Sequence, residues 1–313
     1  METQNHEKQN GLLGKPTLAK ASGVAFSVAT VLPVALTILF LIVIAVSGLA
    51  SDSSLETQDW YLYACFALPQ LAFACTAVWY LRYTQKPVLT ALREQKCRGA
   101  YLWIAIALQI GLFSFSELNV WFLEFLARFG YENESIVLPS LDGFGFVGVL
   151  FTVALLPAVF EEIIFRGILL KGLRSAFSET VSVLFCGALF AIYHQNPAQT
   201  LYQFGCGLAY AFLAIRSNSV LPTMIAHFLN NAFILTLTKC GITAFSGVFF
   251  TVYVAISALV LVGATLWLLL VDRKKSSMEQ TAVKTERKIF FLCAGVGIVV
   301  CLATWISVLL GGF

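Results

Sequence analysis

Charge is what this 313-residue sequence has least of: Asp, Glu, Lys and Arg together supply 12% of it, against 59% for the hydrophobic types. A soluble domain of this length needs far more charge to cover its surface, so that class is excluded and a polytopic membrane protein is expected. The net charge of +3 provides no basic surface for nucleic acid, which is not expected as a partner. No CxxC pair occurs among the eight cysteines. Cys65, Cys75, Cys186, Cys206, Cys293 and Cys301 lie inside apolar runs and read as small buried hydrophobes. Internal repeats and low-complexity stretches are also lacking. The first 20 residues are polar, and the apolar run after them is too long for a signal h-region, so a cleaved signal peptide is not expected.

What the sequence does have is long apolar runs. A membrane span needs about 20 such residues. By that measure the candidates are 23–50, 60–81, 101–123, 144–170, 179–195, 199–215, 221–238, 245–271 and 289–311. The fifth to seventh are short and closely spaced, so the expected architecture is an all-α bundle of eight or nine transmembrane helices. The segments 82–100, 171–174 and 272–288 are basic, whereas 51–59 and 130–142 are acidic. This alternation predicts a cytoplasmic N-terminus. Lys239 alone breaks the pattern. The stretch 272–288 reads as a solvated linker.

Against this background "FEEIIFRG" (160–167) stands out, with three formal charges inside an apolar run. Each charge at the centre of a membrane helix costs about 2.5–3.5 kcal/mol, and adjacent carboxylates repel. Glu162 and Arg166 are four apart with the acid first, the favoured order for an ion pair on one helical face. Glu161 points about 100° away and needs another partner. Pro157, one turn earlier, frees a backbone carbonyl and can kink the helix. Of the three histidines, His6 lies in the polar tail. His194 and His227 lie in the apolar segments "FAIYHQNP" and "MIAHFLNNAF", where Phe190 shares a face with His194 and Asn231 with His227. A lone membrane histidine is more often a packing residue than a ligand. Two histidines, an amide and a surplus carboxylate on three neighbouring helices form a functional polar site, able to bind a metal, relay protons or activate water. Charge and spacing do not choose among these.

Taken in order, Glu161-Glu162-Ile163-Ile164-Phe165-Arg166 as EExxxR, Phe190 to His194 as FxxxH, and His227 to Asn231 as HxxxN resemble the CPBP intramembrane protease family. That family includes the type II CAAX prenyl endopeptidases and bacterial members called Abi-type, bacteriocin-processing or immunity proteins. The likeness covers roughly residues 145–236, and the flanking spans match only in being hydrophobic. It implies a catalytic core at 144–238, set between a cytoplasmic tail (1–22) with N-terminal transmembrane helices (23–143) and C-terminal transmembrane helices (239–313).

The resemblance implies an intramembrane endopeptidase. Glu161 and His194 would hold and deprotonate a water, while His227 and Asn231 would stabilise the oxyanion, with Glu162, Arg166 and Phe190 in support. It also admits zinc, since the family has long been called metalloproteases, and Glu161, His194 and His227 would then be the ligands. The HExxH helix of soluble zincins is absent and nothing in the spacing favours zinc, so the metal-free mechanism is expected. Glu161 and His227 lie near the cytoplasmic face and His194 near the far end of its short span, so they can meet only if that span starts outside the bilayer or if "QNPAQ" (195–199) ends it at mid-depth, where a non-helical turn lining a wet cavity is expected. The expected partners are the lipid bilayer and a membrane-embedded or lipid-proximal peptide, in a chain that fits a bacterial plasma membrane. Two other classes remain, a non-proteolytic immunity or scaffold protein and an ion-coupled transporter.

Overall fold

In lipid every backbone polar group must find its partner within the protein, and a helix does this segment by segment. A computed structural model describes residues 17–85, 97–133, 136–242, 245–272 and 284–311. Each of the nine expected apolar segments is helical in it, and no strand occurs among the described residues. In chain order the helices are α1 (Leu18–Val46), α2 (Asp59–Thr84), α3 (Ala100–Leu112), α4 (Phe115–Ala127), α5 (Phe144–Ala176), α6 (Glu179–Tyr193), α7 (Thr200–Ser217), α8 (Leu221–Lys239), α9 (Gly247–Val271) and α10 (Lys284–Leu309). The expected third span is thus two helices that break at residues 113–114.

Among the described residues six spans are long and apolar enough to cross a membrane: α1, α2, α3 with α4, α5, α9 and α10. The shorter α6, α7 and α8 are not among them. Large apolar side chains on the outer faces, among them Val43, Leu259, Leu292 and Val299, are exposed, which water would not tolerate over so wide an area but lipid does. The chain is a helical membrane bundle.

Two expected boundaries move. The polar tail was expected to reach residue 22, but α1 starts at Leu18. Its N-cap is Thr17, whose hydroxyl accepts from Lys20 N at 3.3 Å and donates to Glu286 at 2.7 Å. The linker was expected to reach residue 288, yet α10 begins at Lys284, because Glu286 and Arg287 bond inward: Arg287 Nε donates to the Ala176 carbonyl at 3.0 Å. His6, most of the tail and most of the linker lie outside the described residues. Among the cysteines, Cys186, Cys206 and Cys301 are buried as expected, but Cys75 is exposed on an outer face. Lys239, the exception to the charge pattern, is engaged locally. Its Nζ donates to the Leu141 carbonyl at 2.9 Å and sits 4.3 Å above the Phe146 ring.

Helix α5 is the centre of the bundle and packs against α1, α2, α6, α7 and α8. The crossing with α1 is close because residue 172 is glycine. A Cβ there would lie 2.3 Å from Ser22 Oγ, and Ser22 instead donates to the Ile168 carbonyl at 3.0 Å. Along α5 the α-helical turn pattern widens twice to π-helix, at Leu150–Leu155 and at Ile163–Leu169, on either side of Leu156–Glu162. Such π segments recur at functional sites because they reorient side chains that a regular helix would keep on one stripe. Phe165 closes the region beneath, with its ring centroid 4.9 Å from that of Phe190, 5.4 Å from Tyr193 and 6.4 Å from both Phe26 and Phe73.

Candidate active site

The buried charges of α5 are compensated from two directions. Arg166 Nη1 donates to Glu162 Oε1 at 2.7 Å, with both side chains at 0% exposure. The same oxygen lies 3.0 Å from His227 Nδ1 on α8. A carboxylate only accepts, so Nδ1 carries the hydrogen, and Nε2 is the ring atom turned toward Glu161, 4.0 Å from its Oε2. Sequence reasoning paired Glu162 with Arg166 alone and missed this second bond. The guanidinium also stacks on aromatic rings, 4.2 Å above Phe190 and 5.2 Å above Tyr210. This spreads its charge over π faces in a fully buried setting.

Phe190 joins the two histidines. Its ring centroid lies 4.7 Å from that of His194 and 6.1 Å from that of His227. His194 caps the C-terminus of α6, where its Nδ1 bonds the Phe190 carbonyl at 2.8 Å. Because a carbonyl cannot donate, Nδ1 is the protonated atom and Nε2 of a neutral His194 is an acceptor. Helix α6 stops at Tyr193, Gln195 takes a left-handed conformation (φ 52°), and a short 3₁₀ turn at Pro197–Gln199 leads into α7. The turn is closed by Asn196, which accepts from Ala198 N at 2.8 Å, and is held from outside by Trp305, whose Nε1 donates to Thr200 at 2.7 Å. Trp305 is four residues before the end of α10, so the turn lies about 6 Å inside that end at 1.5 Å per residue.

Asn231 sits one turn beyond His227 and is anchored apart from it. Its Nδ2 donates to the Val153 carbonyl at 3.2 Å, and its Oδ1 accepts from Asn230 at 3.0 Å. Val153 is four residues before Pro157, which has no N–H to offer it. The carbonyl that proline frees in α5 is therefore taken by the amide of α8. Asn230 was not singled out from the sequence, nor were the groups that hold it: Gln109 Nε2 donates to its Oδ1 at 2.8 Å and Tyr202 at 2.7 Å, while Tyr210 donates to Gln109 Oε1. Gln70 on α2, also missed, is buried, and its Oε1 has no hydrogen-bond partner. The available signal was plain, since Gln70 and Gln109 are lone amides inside the apolar stretches "FALPQLAF" and "IALQIGL".

The structure thus gathers Glu161, Glu162, Arg166, Phe190 and His227 into direct contact, reaches His194 through Phe190, and sets Asn231 one helical turn away on α8. Among the described residues no three His, Cys, Asp or Glu side chains are arranged to hold a metal ion. The set Glu161, His194 and His227 therefore does not form the three-ligand site that zinc would need.

One known family covers this part of the chain. Residues 143–233 match the Rce1-like type II CAAX prenyl endopeptidase model. The matched segment runs from the start of α5 to the middle of α8 and contains all three motifs, but neither Gln70 nor Gln109. It supports a CAAX prenyl protease-like peptidase and, with the apolar helices around it, a multi-pass integral membrane protein. No curated protein and no solved structure matches the chain.

Proposed function

We propose that this protein is an intramembrane endopeptidase that hydrolyses peptide bonds of a membrane-embedded or lipid-proximal substrate with a water activated by Glu161 and His194, without a metal. The observation that carries the reading is the unequal treatment of the two glutamates. Glu162 takes bonds from Arg166 and His227 on its Oε1, and Glu161, its Oε2 buried like that of Glu162 without a hydrogen-bond partner, meets only His227 Nε2, at 4.0 Å. A carboxylate left without a fixed donor is the one able to take a proton.

In the proposed step the water oxygen attacks the peptide carbonyl carbon, one O–H bond breaks and its proton passes to Glu161. The carbonyl π pair moves onto oxygen as the oxyanion. His194 Nε2, the acceptor atom of that ring, orients the water. His227 donates to the oxyanion from Nε2 when the ring is protonated at both nitrogens, and Asn231 donates the N–H that Val153 does not use. Collapse re-forms the carbonyl and breaks the C–N bond, and the proton held by Glu161 goes to the leaving nitrogen. The basic end of the bundle, cytoplasmic by the charge rule, is the side from which the substrate is presented.

The test is a proteomic comparison of peptide termini in membranes expressing wild type and Glu161→Gln. Termini present with the wild type are expected to fall by about 10²–10⁴-fold in rate of formation in the variant, the usual contribution of a general base, at equal protein abundance. Phenanthroline is expected to leave them unchanged. Identical termini in the two membranes would refute the reading, and would be the result for a scaffold, an immunity protein or a transporter.

A further inference from the structure

Gln109 lies on α3, outside the matched residues 143–233, and is 1% exposed. It belongs to a chain of side-chain hydrogen bonds that runs into the candidate active site. Tyr210 donates to its Oε1, and its Nε2 donates to Asn230 Oδ1 at 2.8 Å. Asn230 Nδ2 donates to Asn231 Oδ1 at 3.0 Å, and Asn231 Nδ2 donates to the Val153 carbonyl at 3.2 Å. The other end of the chain returns to the site as well, since the Tyr210 ring lies 6.0 Å from that of His227 and 5.2 Å below the Arg166 guanidinium.

The direction of the chain follows from its last acceptor. A backbone carbonyl only accepts, so the nitrogen of Asn231 must face Val153 and its oxygen must face Asn230. Asn230 then has to give its nitrogen to Asn231, which turns its oxygen to Gln109. Gln109 in turn gives nitrogen to Asn230 and oxygen to Tyr210. Reversing any one of the three amides would set acceptor against acceptor in a buried place, which is penalised. Tyr202 also donates to Asn230 Oδ1, at 2.7 Å, but a hydroxyl can turn to accept as readily as it donates, whereas an amide nitrogen only donates. Gln109 is therefore the member that fixes which way Asn230 points.

Bonded to Val153 alone, the Asn231 amide could pivot about that single bond. The second bond, at its oxygen, holds the amide plane and so the direction of the N–H that Val153 does not take. We propose that Gln109 is a positioning residue for the hydrolytic step, resting on the endopeptidase reading above. It touches no reacting atom. Through Asn230 it keeps the spare N–H of Asn231 aimed at the developing oxyanion, so that part of the oxyanion site is set from α3, outside the matched core.

The experiment is a double-mutant cycle on the full-length protein in membranes, read as the rate of formation of the Glu161-dependent termini at equal protein abundance. Gln109→Met keeps the shape and removes both polar ends. It is expected to slow cleavage about 10-fold, and Asn231→Ala more, within the about 10²–10³-fold that one oxyanion donor is worth. The double variant is expected to be no slower than Asn231→Ala, because a residue that acts only through Asn231 has nothing left to position. A second readout needs no substrate. In detergent-solubilised protein with isotope-labelled asparagine, the side-chain amide resonance of Asn231, assigned by its loss in Asn231→Ala, is expected to shift in Gln109→Met. Wild-type cleavage by Gln109→Met, an unmoved resonance, or a double variant slower than Asn231→Ala by the full factor of Gln109→Met overturns the proposal, the last being the mark of a purely structural glutamine. If Gln109→Met does not accumulate, Gln109→Asn, whose amide is one methylene too short to span from Tyr210 to Asn230, decides on the same readouts. If Glu161→Gln cleaves normally, the endopeptidase reading falls and this inference with it. If Glu161→Gln and Asn231→Ala are slow while Gln109→Met is fully active, only the assignment of Gln109 falls.

Discussion

Removing the guanidinium of Arg166 strips Glu162 of a partner in a fully buried place. Both side chains are at 0% exposure and 2.7 Å apart, so the charge left behind has only His227 to answer it. Breaking one side of such a pair costs about 3–5 kcal/mol. The guanidinium stacked on Phe190 and Tyr210 accounts for about 1–2 kcal/mol of the loss in Arg166→Met, and the stranded carboxylate for the rest. At 1.4 kcal/mol per tenfold, a loss of about 4 kcal/mol shifts the folded-to-unfolded ratio nearly a thousandfold. The double variant Glu162→Met/Arg166→Met removes the stranded charge and is expected to recover about 2–3 kcal/mol, because apolar replacements of a buried pair are often neutral or better. Cleavage is expected to stay lost in the double variant, since His227 Nδ1 then has no carboxylate to fix its ring. Denaturant titration in micelles reads the first effect, and the Glu161-dependent termini read the second. A double variant no more stable than Arg166→Met would show that packing, not charge, sets the cost. Wild-type cleavage by the double variant would show that Glu162 does not orient His227.

Pro157→Ala supplies an N–H that competes with Asn231 for the Val153 carbonyl, so a folded protein with cleavage slowed about 10-fold, equivalent to 1.4 kcal/mol in the barrier, is expected from the same termini assay. Gly172→Val drives a side chain into Ser22 and toward the Leu18 carbonyl, 2.3 and 2.9 Å from the position of the first added atom. It is expected to destabilise the α1–α5 crossing by about 1–3 kcal/mol in the micelle titration, with partial relief when Ser22→Gly is added.

The helices were legible because the apolar runs in this chain are long and their ends carry charge or turn residues. The limits of α6 to α8 came within two residues, since Ser178, Asn218 and Pro222 punctuate them. The break at 113–114 was not legible: Phe113 and Ser114 are compatible with a continuing helix, and only packing shows the division. The Glu162–Arg166 contact follows from a four-residue spacing on one helix. The Glu162–His227 contact joins residues 65 apart, and no local pattern encodes it. The buried amides on α2 and α3 were overlooked for a different reason. Neutral amides cost less to bury than charges and so read as background, although Gln70 and Gln109 were each alone among apolar neighbours.

The charge count within the cluster ties the two halves of the proposed chemistry together. Glu161, Glu162 and Arg166 sum to −1, so neutrality in this buried volume requires one further proton on either Glu161 or His227. Their facing atoms are 4.0 Å apart, so one proton can rest on either side of the gap. If the proton is on Glu161, the carboxyl group is no base and His227 Nε2 has no hydrogen to donate. With the proton on His227, Glu161 is free to accept from water and Nε2 carries the hydrogen that an oxyanion needs. A single proton position therefore switches on the base and the oxyanion donor together. In the proposed mechanism Glu162 favours that position: its carboxylate on Nδ1 would stabilise the imidazolium, while Arg166 would keep Glu162 from drawing the proton to itself. In the proposed mechanism the Glu162–Arg166 pair is more than compensation for buried charge, because it would set where the one movable proton rests before the water is cleaved.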